Sequence, residues 1–309
     1  MRDLDFDAMH LFARVAELGT LSAVARERDV PVSQVSRTLA RIEKACGVRL
    51  IHRSTHGLSL SAEGDTFLDY CRRLTGTLDE LEGEFASRAG QAGGRVRVAV
   101  SSVIAQFQLL PSLPGLAARH PGIKVELEVS DRLADMARDG IDISIRTGIN
   151  LPDTVVARRI GTLGRALYAS PSYAKAHGLP AHPDDLRHHR LVCNSAVPSL
   201  KQWAFLAKGK PLVFTAQAHW QANDTNVMAG MVLQGLGIGR MATLAGEPLV
   251  REQRLLRVLE EFVDPQAVPV YAVTLASRHR LPKIGACLEW WSEWFARADS
   301  AAAARTGTK

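Results

Sequence analysis

At 309 residues, with 46% apolar and 23% charged residues, the chain is sized for two or three globular domains, and its composition excludes general disorder. It has no run of 18 apolar residues, and the acidic start "MRDLDFDAMHLFARV" lacks the order of a secretory signal, so a cytoplasmic protein is expected. The net charge of +6 suits a nucleic-acid binder without requiring one; residues 22–60 carry seven Lys/Arg against three Asp/Glu, whereas 61–94 carry three against seven.

Met9, Leu11, Phe12, Val15 and Ala16 recur at helical spacing and predict a helix over Asp7–Leu18, stopped by Gly19. Thr20 is placed to cap a second helix near 21–28. After a turn at Asp29-Val30, "PVSQVSRTLARIE" (31–43) predicts a third, with Val35, Leu39 and Ile42 on one face and Ser33, Ser36, Arg37 and Arg41 on the other. Two short helices across a tight turn form a helix-turn-helix, whose second helix enters the major groove of DNA. Ala23 and Ala25 are small enough for close helix approach, and Val30 can plug the turn. An amphipathic helix pair that never meets DNA has the same pattern, and both readings stand at this level. "GVRLIHRSTHGLSLS" (47–61) predicts a small hairpin about His56-Gly57.

A long helix is predicted from Ser61, with Glu63 and Asp65 in its first turn. Phe67, Cys71, Leu74, Leu78, Leu81 and Phe85 follow in steps of four and three, a heptad seam. Such a seam packs either on its own domain or on a second copy; an acidic helix between two domains favours the second copy, hence dimerisation. "AGQAGG" (89–94) reads as a flexible joint.

From Arg95 strands and helices alternate. Strands are predicted at 95–101, 124–130, 141–146, 166–170, 190–193 and 268–276, and helices at 106–119, 132–139, 171–176, 223–234 and 283–297. This rhythm predicts mainly parallel sheets covered by helices, with ligands at the carboxyl ends of the strands. "ADSAAAARTGTK" is expected to be a frayed tail.

Several features carry no chemistry of their own. Cys46, Cys71, Cys193 and Cys287 have no zinc or redox spacing and read as packing thiols. Gly235, Gly237 and Gly239 follow a helix and precede a strand, the reverse of the dinucleotide-binding order. His177, His182, His188 and His189 have no acid or cysteine spaced with them, so no metal site is expected. No nucleophile elbow occurs, and no enzyme is expected.

The segment "LSAVARERDVPVSQVSRTLARIEKACGVRLIHRSTHGLSLSAEGDTFL" resembles the N-terminus of LysR-type transcriptional regulators. Ser36-Arg37, Glu43, Gly47-Val48, Leu50, Arg53, Leu58, Leu60-Ser61 and Gly64 stand in the family's order. The likeness continues through "GRVRVAVSS", "LLPSLPGLAARHPGIKVEL", "LPDTVVARRIG", "YASPSYAKAHG" and "VLQGLGIG", covering about residues 5–297. It implies an N-terminal all-α winged helix-turn-helix and long linker helix, then a two-lobed, periplasmic-binding-protein-like α/β effector domain. The expected bounds are 1–60, 61–94 and 95–309, with lobe I at about 95–162 and 268–297 and lobe II at about 163–267.

Carried over by position, Val32, Ser33, Gln34, Ser36 and Arg37 face DNA, and Arg53, Thr55 and His56 form the wing contacts. Arg37 suits guanine O6/N7 or a phosphate, Gln34 a base edge and Ser36 a phosphate. The effector cleft is expected to hold Ser101, Ser102 and Val103, then Ser130 and Asp131, Thr147 and Gly148, Asn194 and Ser195, and Asp224 and Thr225. Turn and capping duty fits each of these residues equally well. The resemblance also implies its partners: double-stranded promoter DNA, a second copy of the chain (homodimer, then homotetramer), RNA polymerase and a small-molecule co-inducer or co-repressor, with no cofactor, metal or membrane. A free solute-binding protein and an enzyme on the same scaffold are the rivals. Three departures from the family pattern stand out: Asp29 at the turn, Pro31 where a capping Ser is common, and Gly57 in the wing.

Overall fold

Two side-chain caps decide where the first helices begin. In the computed structural model Asp5 accepts from the Ala8 N–H at 2.7 Å and Thr20 Oγ1 from the Ala23 N–H at 3.2 Å, opening Phe6–Leu18 (α1) and Leu21–Glu27 (α2). The structure describes residues 4–54, 57–88, 92–148, 155–207, 209–263 and 267–306, with backbone alone at 53–54, 57, 79–80, 82–88 and 300–306. Among these, one compact unit takes in 1–86 with the segment 135–140, and the other 87–134 with 141–309.

In the first unit, Asp29 adopts φ +52 in the turn before Val32–Cys46 (α3), a left-handed conformation that Asp tolerates better than most residues. Pro31 is the extended N-cap residue and makes no side-chain cap. Val24, Val35, Leu39 and Ile42 are buried with Leu11, Phe12 and Val15 in one core. Each such side chain contributes about 1.5–3 kcal/mol on burial, which fixes the rotation of α3 and leaves its polar face outward.

Ile51–Ser54 (β1) and Gly57–Leu60 (β2) pair antiparallel, with Ile51 opposite Leu60. Glu43 ties this wing to α3: its Oε1 accepts from the backbone N–H of Leu50 (2.9 Å) and Ile51 (3.2 Å). Ser61 Oγ donates to the Arg49 carbonyl (2.8 Å) and accepts from the Gly64 N–H (3.0 Å) where Ala62–Arg88 (α4) begins. A Cβ on Gly64 would stand 2.0 Å from the Leu50 carbonyl oxygen, so glycine is what allows α4 to start against the wing.

The apolar stripe of α4 divides into two parts. Phe67, edge-on to Phe12 with ring centroids 4.9 Å apart, and Cys71 are buried in the unit's own core. Read from the sequence as seam positions, these two are spent internally instead. Leu74, Leu78 and Leu81 remain 44%, 38% and 46% exposed, and the Phe85 side chain is outside the described residues.

In the second unit Gly94–Val100 (β3) runs into a continuous helical stretch: Ser102–Ile104 (α5), a π-helical Ala105–Leu109, and Leu110–Arg119 (α6). Ile123–Val129 (β4), Ile143–Thr147 (β5) and Val155–Leu163 (β6) follow. The chain then enters a second lobe through Arg165–Ala169 (β7), Pro171–His177 (α7) and Leu191–Asn194 (β8). Gln202–Ala207 (β9) and Lys210–Thr215 (β10) form a hairpin, followed by Trp220–Ala222 (β11), Thr225–Leu233 (α8), Ile238–Ala242 (β12), Thr243–Arg251 (α9) and Leu256–Val258 (β13). Val268–Leu275 (β14) returns to the first lobe, and Pro282–Thr306 (α10) packs Leu288, Trp291 and Phe295 into its core.

The lobes share one plan, with strand orders β4-β3-β5-β14-β6 and β11-β8-β12-β7-β13. In each, the first three strands are parallel and the remaining pairings antiparallel, so the sheets are mixed where mainly parallel ones were expected. Parallel neighbours need a crossover helix; β6 passes directly to β7, and β14 arrives from the other lobe, so neither has one.

Two predicted elements change. Residues 132–139, expected as a helix, form bends and turns, because Asp135 accepts from the Arg138 N–H (3.1 Å) and Asp139 from the Asp135 N–H (3.0 Å). Side-chain acceptors here compete with the helical ladder. The C-terminal segment, expected to fray after Arg297, continues α10 to Thr306 through the alanines 301–304, the residue of highest helix propensity.

Candidate DNA-reading helix and effector cleft

The outward face of α3 carries Val32 (44% exposed), Ser33, Gln34 and Arg37, all exposed, with Ser36 half-buried among them. Arg37 Nε reaches back to the Ser33 carbonyl at 3.4 Å. Neighbouring cations are neutralised more fully. Arg28 meets Asp7 at 2.9 Å and His10 Nδ1 at 2.7 Å, Arg41 meets Asp5 at 3.2 Å, and Arg14 is bound by Glu17 and Glu27. Arg14 holds the Glu27 carboxyl below its ordinary range by hydrogen bonding, although desolvation opposes this. Of the expected wing contacts, Thr55, His56 and the Arg53 side chain lie outside the described residues.

In the second unit a cavity of about 440 Å³ opens between the two lobes. Ser101, Val103, Ser130, Asp131, Thr147, Gly148, Asn194 and Thr225 line it. Ser102, Ser195 and Asp224 do not, for identifiable reasons. Asp224 caps α8, accepting from the Asn226 and Val227 N–H groups at 2.9 Å. Ser195 extends the sheet edge through its N–H to the Ala222 carbonyl (2.8 Å), and Ser102 is buried behind the wall.

Asp131 joins several of these groups. Its Oδ1 accepts from the Ser102 N–H (3.3 Å) at the start of the helical stretch, so a protein carboxylate meets the free donor end of that helix. Its Oδ2 accepts from Asn194 Nδ2 (2.7 Å) and from Thr225 Oγ1, both on the other lobe. Asn226 Nδ2 to Gln106 Oε1 (2.8 Å) makes a second bridge between the lobes.

The sequence reading missed the basic part of the wall. Arg132, Arg146, Arg165 and Arg240 all line the cavity. Arg165 Nη2 donates to Thr147 Oγ1 across the lobes (3.2 Å), and Arg240 Nη1 to the Gln202 carbonyl (3.2 Å). Burial, and then the like charge of Arg240, pull Arg165 down to about 10; burial alone lowers Arg146. A signal was present: Arg240 is the one charged residue in "IGRMA", a strand otherwise apolar or glycine, and a charge in such a strand calls for a reason.

The family models place both units. One described as "LysR substrate binding domain" matches residues 89–296, and one described as "Bacterial regulatory helix-turn-helix protein, lysR family" matches residues 6–65. The chain belongs to the LysR family of transcriptional regulators.

As a LysR-type regulator it joins a helix-turn-helix DNA-binding domain to an effector-binding domain. It is similar to an HTH-type transcriptional repressor of Pseudomonas aeruginosa (strain UCBPP-PA14), 31% identical over 291 residues, covering 94% of this chain and 92% of that protein. The uncharacterized HTH-type transcriptional regulator YhjC of Escherichia coli (strain K12) is 34% identical over 254 residues, covering 82% of this chain and 85% of YhjC. The full-length structure of the Vibrio cholerae virulence activator AphB shares its fold (TM-score 0.66, 24% identity, 94% of this chain and 100% of that one). So does CrgA, a LysR-type transcriptional regulator from Neisseria meningitidis (TM-score 0.61, 25% identity, 94% and 99%).

Several other side chains of this LysR-type chain pack or cap. Burial pushes the Cys71 and Cys287 thiols up to about 12 and raises Cys193, consistent with packing. His182 caps a short 3-10 helix, and His189 Nδ1 meets the Tyr173 hydroxyl at 3.2 Å. No group of three or more metal-ligating side chains occurs among the described residues, and no described helix is long and apolar enough to cross a membrane.

Proposed function

We propose that this regulator reads promoter DNA through Val32, Ser33, Gln34, Ser36 and Arg37, and that a small molecule in the cleft controls the reading. The observation that carries it is the two-sided character of α3: Val35, Leu39 and Ile42 are sealed in the core while Ser33, Gln34 and Arg37 face outward at its N-terminal end. Arg37 forks onto guanine or phosphate, Gln34 meets a base edge, and Arg53, Thr55 and His56 on the wing add backbone or minor-groove contacts. The working division is 1–60 for DNA, 61–94 for linking and pairing, and 95–309 for the effector, with lobe I at about 95–162 and 268–297.

Two copies pair through the exposed Leu74, Leu78 and Leu81 of α4, with Phe85 as the next position of the heptad pattern, and the dimers assemble into a homotetramer. Pairing presents two recognition helices to successive major grooves of a partly palindromic site. Replacing both Leu74→Asp and Leu78→Asp converts dimers to monomers in sedimentation velocity; an intact dimer would assign the stripe to internal packing.

The effector acts by differential affinity for two arrangements of the lobes. The bridges from Asp131 to Asn194 and Thr225, and from Gln106 to Asn226, define one arrangement, and a ligand that competes with or completes them shifts the balance. The protein acts by binding in the cytoplasm, without a catalytic step, and passes the change to RNA polymerase. The test is a gel shift of purified protein on DNA from upstream of its own gene. Retardation that survives excess non-specific competitor DNA is expected; its absence at micromolar protein would overturn the reading.

A further inference from the structure

Four arginines and two carboxylates, Glu128 and Asp131, line the cleft cavity. Both carboxylates have other partners: Asp131 has Ser102, Asn194 and Thr225, and Glu128 lies 3.9 Å from Arg97. Arg165 and Arg240 share one face of the second sheet, because Ala242 pairs with Arg165 and Arg240 with Leu167 on the adjoining strand. Arg146 comes from the first sheet, at the end of β5, and among the described residues its buried Nε has no hydrogen-bond partner. Among the described residues, neither Arg146 nor Arg165 has a carboxylate within ion-pair distance.

Partly buried cations with neutral partners are costly to hold, and that cost is relieved when an anion arrives. Guanidinium forks match a planar carboxylate in two parallel hydrogen bonds, and exclusion of water strengthens each one. The rest of the wall supplies apolar surface, including Leu133, Val197 and Leu200. A cavity of about 440 Å³ is in the range that encloses a small organic molecule.

We propose that the effector is a small organic carboxylate, its charged end held by Arg146, Arg165 and Arg240 across both lobes and its body packed on the apolar wall. This inference rests on reading the cleft as the effector site. Because the three arginines come from both sheets, a carboxylate bound to all of them fixes the spacing of the lobes. An apolar ligand of the same size would leave the arginines' repulsion unrelieved.

The test uses the full-length protein at constant ionic strength. Benzoate, 3-phenylpropionate, hexanoate and adipate are compared with their amides and with phenyl phosphate, by thermal unfolding and calorimetric titration. At least one carboxylate is expected to raise Tm and to bind at least about tenfold more tightly than its amide, the scale of a charge-assisted hydrogen bond. Arg165→Gln is expected to weaken that carboxylate by about tenfold or more without lowering the Tm of the free protein. Arg146→Gln, which removes an Nε that has no partner among the described residues, is the second variant if Arg165→Gln does not fold. Equal binding of the amide, tighter binding of phenyl phosphate, no response to any carboxylate, or a lower Tm in both variants would overturn the proposal. The two readings fail differently. Amides that bind and shift operator affinity would leave effector control standing and remove the carboxylate. Arginine-dependent carboxylate binding with unchanged operator affinity would do the reverse.

Discussion

The recognition helix and the cleft both present arginine, in opposite physical settings. Arg37 is exposed on a single helix whose orientation is fixed by three buried neighbours in the same fifteen residues. Arg146, Arg165 and Arg240 come from three strands in two sheets, with Arg165 shifted by burial and by its neighbour's charge. One arrangement suits a polyanion met at a wet surface, where register comes from the helix. The other suits a small ligand enclosed away from water. Local packing sets the first, and long-range polar bridges set the second.

That contrast can be broken at the packing end. Gly64→Ala places a methyl group 2.0 Å from the Leu50 carbonyl oxygen, with backbone as the obstructing atom, so the wing or the start of α4 must move. The expected cost is about 3 kcal/mol, read as a lower denaturant midpoint for the N-terminal unit. An unchanged midpoint would show that the Gly64–Leu50 approach does not limit how α4 meets the wing.

The polar end is expected to respond less. Asp131→Asn keeps one acceptor but loses charge assistance to Asn194 and Thr225. A loss of about 1–2 kcal/mol follows, with faster hydrogen exchange at the start of α8. Exchange unchanged in α8 while the Tm falls would sever Asp131 from the lobe bridge.

The same contrast explains what the sequence made legible. The helix-turn-helix was readable because its determinants are neighbours: Thr20 caps α2, Asp29 turns left-handed, and Val35, Leu39 and Ile42 repeat at helical spacing. Of the cleft positions carried over by resemblance, Ser101, Asp131, Asn194 and Thr225 line the cavity. The cleft's arginines were not legible, since Arg146, Arg165 and Arg240 become neighbours only through strand order, which sequence periodicity does not encode. The α4 stripe misled for a related reason. Heptad spacing is the same at Phe67 and at Leu78, and only the tertiary core separates the buried position from the exposed one. At 132–139, aspartates well placed for a helix are equally well placed to close a turn.

Whether the outward face of α3 reads DNA is decided by fluorescence anisotropy with labelled upstream DNA. Wild-type protein and Arg37→Ala are titrated against that DNA and against a scrambled duplex, with thermal unfolding run in parallel. Specific affinity is expected to weaken by about ten- to a hundredfold in the variant, with Tm essentially unchanged, since Arg37 is exposed. Equal affinity of the two proteins for the upstream duplex would contradict DNA reading by this face.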